Sequence, residues 1–433
     1  MPLPAYNGHI PKAGVFMVDF RPFRGVRYAE SAGNLADLIC PPYDVISESL
    51  ERQLLALSPH NMVRLELAEL SGPPPADRYE RAASEFARMK REGVLKQDNA
   101  ASYYLLRQRF SIGGVQQERL GLFGALQVEE LGGAVLPHED TAAGPKQDRL
   151  LLMEATSANF SPIMMLFRDA DHRVAQITER VVSTSPYADF VVESQGYTIW
   201  VISDLEDVQI VHDALESQPT YIADGHHRYE TAVGYGKRVG GGAEAVLTCL
   251  ISFDDPGLVI QPYYRVVHGL DNQKLEQMRN LLATLFMAIP AVDPAPAGLD
   301  AAIANLAQNQ VVLGVVEQGK APVLLTPADD TVPAPDATLA PLEQAKAVEA
   351  NVLQELLFRP VMGDTFPDNV AYVHDPVEAV RMVESGEAQI AFFIKGVPAD
   401  VFEVVVGAGI RLPRKSTYFH PKLPSGLVIN ALD

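Results

Sequence analysis

Apolar residues follow helix-like and strand-like patterns along the chain, and these patterns predict its elements. Between residues 76 and 92 the apolar spacing is helical and Gly93 follows, which predicts an amphipathic helix that ends at a glycine. Two strand-like runs, 103–110 and 116–128, flank the pair Gly113 and Gly114. A glycine pair between two such runs is typical of a β-hairpin.

Further along the chain, strands and helices alternate. A short strand over 220–223 precedes a helix that begins near His226, and runs 246–253 and 258–267 predict a second strand pair joined by a turn at 254–257. The mixture of hairpins with βα units predicts an α+β or mixed α/β architecture instead of a regular doubly wound sheet.

The composition of the chain changes after residue 270, where stretches rich in proline begin. A helix-like run over 275–285 leads into a proline-rich stretch, and a second stretch rich in proline and aspartate covers 327–341. Both stretches are typical of surface connections. We therefore predict two domains, 1–270 and 271–433.

Charge and composition disfavour several classes of protein, among them proteins that bind nucleic acid and proteins that span a membrane. The 433 residues hold 35 basic and 55 acidic side chains, a net charge of −20, which disfavours nucleic acid and anionic membrane surfaces as partners. Two cysteines are too few for a disulfide framework, and no apolar run approaches the roughly 20 residues of a membrane-spanning helix. Residues 1–16 do not have the pattern of a secretion signal, so we expect a cytoplasmic protein. The oligomeric state is not indicated.

The segment from Asp224 to Arg228 is the most informative one. A short strand runs into Asp224 and Gly225, and the following helix opens with His226, His227 and Arg228. The first-turn amides of a helix have no intrahelical partner and carry partial positive charge, so a phosphate would meet backbone N–H groups, Arg228 and an imidazole there. We expect replacement of Arg228 by alanine to weaken nucleotide binding with little loss of stability. The alternative is that Asp224 caps the helix and both histidines lie on the surface.

A second polar cluster contains His138, Glu139, Lys146 and Arg149. His138 and Glu139 have the chemistry for acid–base or metal roles, and Lys146 and Arg149 have the chemistry for phosphate binding. The alternative is a solvated loop followed by a helix from near Lys146, with Arg149 merely exposed.

The C-terminal tail reverses the charge of the chain. Between residues 404 and 432 there is no acidic residue, which favours an anion site formed by Lys415, Ser416, Thr417 and Lys422. The alternative is a basic patch that pairs with acidic surface elsewhere.

Two carboxylates, Asp44 and Glu66, stand among apolar neighbours, where a general base or magnesium ligand would have an apolar surround. The alternatives are a turn cap for Asp44 and an ordinary strand for residues 64–66. Cys40 has no neighbouring cation in sequence, and we interpret it as a buried packing residue.

The chain contains, in order, the strings CPPYDV, NxVRLEL, PHExT, GPKxDR, NFSPI, ADGHHRYETA, DDPGLVI and KSTYFxPKLxSGLV. Together these strings resemble the bacterial and archaeal DUF1015 family nearly end to end. The DGHHR string is in turn similar to the phosphate-binding motif of the ParB/sulfiredoxin superfamily, which includes partition proteins, sulfiredoxins and a kinase for free serine. The resemblance implies a ParB/sulfiredoxin-like nucleotide-binding core with N-terminal elaboration in 1–270. It also implies a C-terminal α/β domain in 271–433 whose basic tail returns to the site.

The chain departs from these relatives at two places. Where DUF1015 relatives tend to read P-x-H-R, it has Pro262, Tyr263, Tyr264 and Arg265, so no histidine role carries over, although Arg265 keeps its capacity to contact an anion. The cysteine of the sulfiredoxin motif is absent as well, which disfavours sulfinic acid chemistry.

The leading hypothesis is an enzyme that binds ATP or ADP with Mg²⁺ and transfers phosphoryl to a small hydroxylated metabolite, with free serine as one candidate, or that hydrolyses the nucleotide. The alternative is a nucleotide-sensing regulatory protein without turnover. The candidate catalytic groups are Asp44, Glu66, His138 and Glu139, of which Asp44 and Glu139 are the candidate metal ligands. The candidate phosphate and nucleotide ligands are Asp224, Gly225, His226, His227, Arg228, Lys146, Arg149, Arg265, Lys415, Ser416, Thr417 and Lys422.

Overall fold

A computed structural model describes residues 18–67, 75–139, 143–216, 218–307 and 310–432, with the side chains of 75–77 and 143–145 left out. Residues 1–16, which do not have the pattern of a secretion signal, lie outside the described residues. By their internal contacts the described residues fall into two units. The first unit comprises 18–137, 143–258 and 421–432, and the second comprises 138–139 and 259–420.

The strands, in chain order, are β1 Phe20–Arg21, β2 Val26–Tyr28, β3 Leu95–Gln97, β4 Tyr103–Ile112, β5 Val115–Gln127, β6 Val135–Leu136, β7 Ala158–Asn159, β8 Ile163–Phe167, β9 Ala188–Val192, β10 Gln195–Ile202, β11 Thr220–Asp224, β12 Ala245–Ser252, β13 Val259–Gln261, β14 Tyr264–Val267, β15 Phe286–Pro290, β16 Leu313–Glu317, β17 Val323–Pro327, β18 Val370–Val373, β19 Ile390–Phe393, β20 Tyr418–His420 and β21 Asn430–Ala431.

The α-helices are α1 Leu35–Leu38, α2 Glu48–Leu57, α3 Val63–Glu66, α4 Pro75–Arg91, α5 Ala143–Thr156, α6 Arg173–Val182, α7 Leu205–Leu215, α8 His226–Val239, α9 Asn272–Leu285, α10 Pro296–Leu306, α11 Pro341–Lys346, α12 Glu349–Val352, α13 Arg359–Met362, α14 Pro376–Glu384 and α15 Ala399–Gly407. A π-helical segment, Leu353–Phe358, joins α12 to α13, and short 3₁₀ turns lie at Glu30–Ala32, Tyr43–Val45, Gly241–Glu244 and Gly363–Asn369.

The first unit is built on a mixed sheet that contains nine strands within the described residues. Its order is β6-β11-β8-β12-β5-β4-β10-β9, with β1 added against β5. The pairs β6–β11 and β8–β12 are parallel, and the other pairs are antiparallel. Every residue of β8 is buried, as is typical of an apolar strand covered on both faces, whereas β9 alternates with exposed positions at the edge.

Among the described residues, two apolar clusters lie in the core of the first unit. One cluster joins β8 and β11 to α8 through residues such as Ile163, Ile222 and Tyr229. The other contains Met62 of the segment before α3 and Phe86 of α4, together with residues of the C-terminal tail. These clusters fix the start of α8 and the segment around α3.

The second unit contains an antiparallel sheet with the order β15-β17-β16-β19-β14-β18, and a separate pair, β13 with β20. Helices α10 and α14 pack against each other and against this sheet, so that Leu299, Ile303 and Phe393 are buried between them. With these two sheets and their helices, the predicted mixed α/β class is confirmed.

Several local predictions are also confirmed. Helix α4 covers the predicted helical run, β4 and β5 form the predicted hairpin, and β11 runs into α8 through Asp224 and Gly225. Both Gly113 and Gly114 of the hairpin have positive φ. The glycine pair therefore supplies the backbone conformation that a tight hairpin turn requires.

One expectation and one alternative about strands are wrong. Runs 246–253 and 258–267 do not form a pair, because β12 pairs with β5 and β8 whereas β13 pairs with β20. The segment Val63–Glu66 is a helical turn and not a strand. Short apolar runs fit both periods, and here the surrounding packing decides between them.

No helix among the described residues is long and apolar enough to cross a membrane.

Candidate functional site

Strand β11 ends at Asp224, and the turn that follows depends on Gly225. The φ of Gly225 is +98°, a left-handed conformation that side chains disfavour. A Cβ at this position would lie 3.0 Å from Nη2 of Arg228 and 3.1 Å from Cδ1 of Ile163. Glycine is therefore required by the backbone conformation and by the space, and it sets the Asp224 carboxylate beside the first turn of α8.

The Asp224 carboxylate is held by two cations. Nη2 of Arg228 donates to Oδ2 at 2.7 Å, and the Lys422 ammonium donates to Oδ1. Burial opposes ionisation of Asp224, but Lys422 and Arg228 outweigh it and lower the pKa of this carboxyl well below its ordinary value. Asp224 is thus a carboxylate at neutral pH. The N-cap residue of α8 is Gly225, and the Asp224 carboxylate bonds to Arg228 and Lys422, so the alternative in which Asp224 caps α8 is wrong.

Lys422 connects two carboxylates. Besides Asp224, its Nζ lies 3.2 Å from Oδ2 of Asp44 in the 3₁₀ turn after Pro42. The tail that carries it is fixed by the hydrogen bond from Nη2 of Arg119 to the Pro421 carbonyl at 2.6 Å. The first unit therefore brings together three residues that lie far apart in sequence: Asp44, Asp224 and Lys422. Lys422 pairs with acidic side chains, as the alternative for the tail predicts.

Arg228 is less accessible than its place in sequence indicates. Its side chain is only 10% exposed, and Nη1 donates to the Pro162 carbonyl at 2.5 Å. The expectation that loss of Arg228 leaves stability nearly unchanged is therefore not supported by its surroundings. Arg228 ties the start of α8 to the segment before β8.

Behind this turn lies a buried cluster around Glu66. Oε1 of Glu66 accepts from Nη1 of Arg149 at 3.3 Å and from the hydroxyl of Ser161 at 3.1 Å. The Arg149 guanidinium lies 4.1 Å from the ring centroid of Tyr43 and also pairs with Asp148. Arg149 is buried, so the alternative that leaves it exposed is wrong.

A small cavity of about 40 Å³ adjoins this cluster, lined in part by Glu66, Arg149, Ser161 and Arg228. Such a volume is large enough to hold ordered water beside these polar side chains. Glu66 and Arg149 therefore form a buried polar network that shares this cavity with Arg228 of the α8 first turn.

The second unit brings together a different set of predicted residues. Nε2 of His138 and Oγ1 of Thr417 lie 2.8 Å apart, and the Arg411 guanidinium donates to the Glu139 carbonyl at 3.0 Å. The backbone N–H of Lys415 donates to Oε2 of Glu139 at 3.3 Å, with Lys415 at a φ of +58°. Residues 138–139 are thus fastened to the segment 411–417.

The remaining candidates have structural partners. The Lys146 ammonium pairs with Glu230 one turn into α8. Ser416 is buried and its hydroxyl donates to the Pro413 carbonyl at 2.6 Å. Burial lowers the pKa of Arg265 to about 10, and its guanidinium lies 5.5 Å from the ring centroid of Tyr372.

The two histidines of the α8 first turn differ in exposure. His226 is buried, contrary to the alternative that puts both histidines on the surface, and His227 is half-buried. Of the two histidines, His227 is the more accessible to solvent.

Sequence reasoning missed three groups that complete these clusters: Tyr43, Asp148 and Ser161. Tyr43 and Ser161 lie inside the strings CPPYDV and NFSPI, which carry the family resemblance. The family strings could have indicated that Tyr43 and Ser161 matter. Nothing in the spacing of the strings indicates that Ser161 contacts Glu66, 95 positions away.

The family of the chain follows from comparison with known families. The model of DUF1015, described as a protein of unknown function, matches residues 20–352. The chain belongs to the DUF1015 family. Within this DUF1015 chain, the matched range includes Asp44, Glu66 and the turn at Asp224, whereas the segment that carries Lys422 follows it.

Solved structures give distant similarities to this DUF1015 protein. A conserved hypothetical protein from Pyrococcus furiosus is 15% identical, with a TM-score of 0.33, over 68% of this chain and 92% of that one. A free serine kinase in complex with AMP is 14% identical, with a TM-score of 0.32, over 68% and 89%. SbnI from Staphylococcus aureus, with a C-terminal truncation, is 12% identical, with a TM-score of 0.29, over 68% and 84%. No curated protein matches the chain.

Proposed function

We propose that the first unit binds the phosphates of ATP or ADP with Mg²⁺ at the start of α8, and that it transfers phosphoryl to a small hydroxylated metabolite, with free serine as the first candidate. One observation carries the proposal. Two carboxylates, Asp44 and Asp224, converge on one ammonium, that of Lys422, beside the first turn of a 14-residue helix whose N-cap is a glycine. Backbone N–H groups, a cation and a pair of carboxylates are the components that phosphoryl transfer needs.

The oxygen atoms present fit Mg²⁺. This ion is bound in nucleotide sites by one or two protein carboxylates together with phosphate oxygens. Asp44 and Asp224 would hold it, and Mg²⁺ would neutralise charge on the phosphates. The Lys422 ammonium, released from one of its two carboxylates, would then contact a phosphate oxygen.

The three candidate catalytic carboxylates, Asp44, Glu66 and Glu139, have different surroundings, and we therefore propose different roles for them. Glu66 is fully buried and bonded to Arg149 and Ser161, so it supports the site without meeting the substrate. The Asp44 side chain is 38% exposed, so solvent and a substrate hydroxyl can reach it. Glu139, Lys415 and Thr417 remain candidates of the second unit.

Calorimetric titration of ATP and ADP, with and without Mg²⁺, tests the binding part of the proposal. We expect Lys422→Met to weaken nucleotide binding about tenfold or more, because a charge-assisted contact contributes about 1.5–3 kcal/mol. Lys237→Met is the matched control, since Lys237 lies at the other end of α8 in an exposed pair with Glu130. Equal affinities for parent, variant and control would contradict the assignment of the site.

Turnover is tested separately by following ATP consumption with and without serine and other hydroxylated metabolites. Consumption that depends on the added metabolite supports the kinase. Consumption without any acceptor indicates a hydrolase, and tight binding with no consumption indicates the nucleotide-sensing alternative.

A further inference from the structure

Arg265 of β14 is a buried guanidinium that meets no carboxylate in the part of the chain that the structure describes. It is 2% exposed, it donates one hydrogen bond, from Nη1 to the Tyr263 carbonyl, and it makes no ion pair with a described residue. The guanidinium lies 5.5 Å from the ring centroid of Tyr372. Burial lowers the pKa of Arg265 to about 10, because little nearby negative charge compensates the cation. Buried charges are usually paired, so a negative group brought close to Arg265 would be stabilised.

Two further cations of the second unit lie beside the same tyrosines. Burial raises the pKa of the Tyr372 phenol, and the charges of Arg265 and Arg414 oppose that rise, so both guanidiniums lie near one hydroxyl. Nζ of Lys415 is 5.0 Å from the ring centroid of Tyr263. Arg414 is exposed and Lys415 is half-buried, and neither side chain forms an ion pair with a residue that the structure describes. Solvent therefore reaches two cations that no carboxylate occupies.

A carboxylate also lies beside these cations, that of Glu139. Its Oε2 accepts a hydrogen bond at 3.3 Å from the backbone N–H of Lys415, and the Lys415 ammonium is directed to the Tyr263 ring instead. Among the contacts that the structure describes here, one carboxylate thus stands against three cations. In a chain with a net charge of −20, such a local excess of positive charge favours an anion as ligand.

Aromatic rings border the same cations. The rings of His374 and Tyr418 are stacked with centroids 4.7 Å apart, and Tyr263 lies edge-on to both, at 6.2 and 5.6 Å. Strand pairing brings them together, because β13 pairs with β20, which begins at Tyr418, and β14 pairs with β18, which His374 follows. His374 is exposed and the two tyrosines are half-buried. The three rings therefore present an aromatic surface on which a planar group can pack.

We propose that the second unit binds a phosphate monoester with a planar aromatic body. Arg414 and Lys415 contact the phosphate, and the body packs against the three rings. Arg265 stabilises the phosphate through its field, from its buried position behind the tyrosines. A phosphate dianion suits this set of cations better than a single negative charge does, and the planar guanidinium of Arg414 matches the geometry of phosphate oxygens.

This site is additional to the proposed nucleotide site. It lies wholly in the second unit and uses none of the residues proposed to hold the nucleotide or Mg²⁺. Binding here therefore requires no divalent cation.

Calorimetric titration of the full chain with phenyl phosphate, inorganic phosphate and phenol tests the proposal. The titrations are made at pH 8, where a phosphate monoester is a dianion, and in EDTA, which removes Mg²⁺. We expect phenyl phosphate to bind about tenfold or more tightly than phenol, which lacks the charge, and more tightly than inorganic phosphate, which lacks the ring. Phenol or inorganic phosphate that binds as tightly as phenyl phosphate, or no binding of phenyl phosphate, would overturn the proposal.

Substitutions then locate the contact. Arg414→Gln removes an exposed charge, and we expect the affinity for phenyl phosphate to fall about tenfold. Arg381→Gln, at an exposed arginine of α14 in the same unit, is the matched control and should bind as the parent does. Lys422→Met, which should weaken nucleotide binding, should also bind phenyl phosphate as the parent does. Unchanged affinity in Arg414→Gln, or an equal loss in Lys422→Met, would overturn the proposal.

The two proposals can fail separately. If the parent binds no nucleotide but binds phenyl phosphate with the expected dependence on Arg414, the site in the second unit stands and the nucleotide site does not. If nucleotide binding depends on Lys422 and phenyl phosphate does not bind in EDTA, the reverse holds.

Discussion

The contact between Lys422 and Asp224 should be visible as a coupling free energy in a double-mutant cycle. Lys422→Met keeps an unbranched side chain and removes the ammonium, and Asp224→Asn keeps the shape of the carboxylate and removes its charge. Removing one partner of a fully buried ion pair costs about 3–5 kcal/mol. Here the side chains of Asp224 and Lys422 are 21% and 12% exposed, and Arg228 still contacts the carboxylate at 2.7 Å after the change. We therefore expect a smaller loss, about 2 kcal/mol, for Lys422→Met.

The pH dependence of stability has a definite sign. The pKa of Asp224 is lowered in the folded state from an ordinary value of 3.8, so its ion pairs stabilise the protein above that value and the stabilisation is lost as the pH falls below it. The difference in unfolding free energy between parent and Lys422→Met should therefore be largest near neutral pH. It should shrink when the pH falls below about 4.

Urea unfolding measures both effects. The single tryptophan, Trp200, is buried in β10 of the first unit and reports the unfolding of that unit through its fluorescence. Lys237→Met is again the control, with an expected change within about 1 kcal/mol because its ion pair is exposed. If the effects of Lys422→Met and Asp224→Asn add without coupling, or if Lys422→Met matches the control, the side chains do not interact as described.

Three further substitutions test local contributions to stability by unfolding in urea. Gly225→Ala should cost about 1–3 kcal/mol, because it forces an L-residue to a φ of +98° and brings a Cβ to 3.1 Å from Ile163; an unchanged free energy would mean that the turn relaxes. Arg228→Lys should cost about 1.5–3 kcal/mol by losing the guanidinium contact with the Pro162 carbonyl, and full stability in the variant would show that contact to be dispensable. Burial raises the pKa of Glu349 from 4.5 to about 7, so the contribution of this group to the free energy of unfolding is fully present below pH 4.5 and is lost as the pH rises through 7. In the parent this loss should lower the free energy of unfolding by on the order of 3 kcal/mol between pH 4.5 and 8, and Glu349→Gln should remove it. A pH profile of stability that Glu349→Gln leaves unaltered would contradict this prediction.

The sequence alone predicted the elements whose signals are local. The glycine pair at 113–114 predicts the β4–β5 hairpin because only a short turn with positive φ fits between two strand-like runs. The helical spacing over 76–92 predicts α4, and the order strand, glycine, helix around Gly225 predicts β11 and α8. Each of these signals is complete within about 25 residues of chain, so no distant neighbour is needed to interpret it.

The pairing of strands was decided only by the tertiary structure. An apolar run such as 246–253 predicts a buried strand, yet the same run can pair with any strand that presents a matching edge. In the structure β12 lies parallel to β8 on one side and antiparallel to β5 on the other, and it does not pair with the next run along the chain. Residues 64–66 show the same limit on a smaller scale, since three residues are too few to separate a helical turn from a strand.

For the candidate site too, the sequence predicted one part and the tertiary structure decided the other. The sequence identified Asp44 and Glu66 as chemically suited because they stand among apolar neighbours. It identified Arg149, Asp224 and Lys422 through a polar cluster, a glycine turn before a helix and a basic tail, respectively. It could not say which charge meets which, since Lys422 contacts Asp224 across 198 positions and Asp44 across 378, and Glu66 contacts Arg149 across 83. Residue type determines what a side chain can bind. Which side chains share a site is determined by the sheet order and the path of the tail, because those bring distant segments within the few ångströms over which hydrogen bonds and ion pairs act.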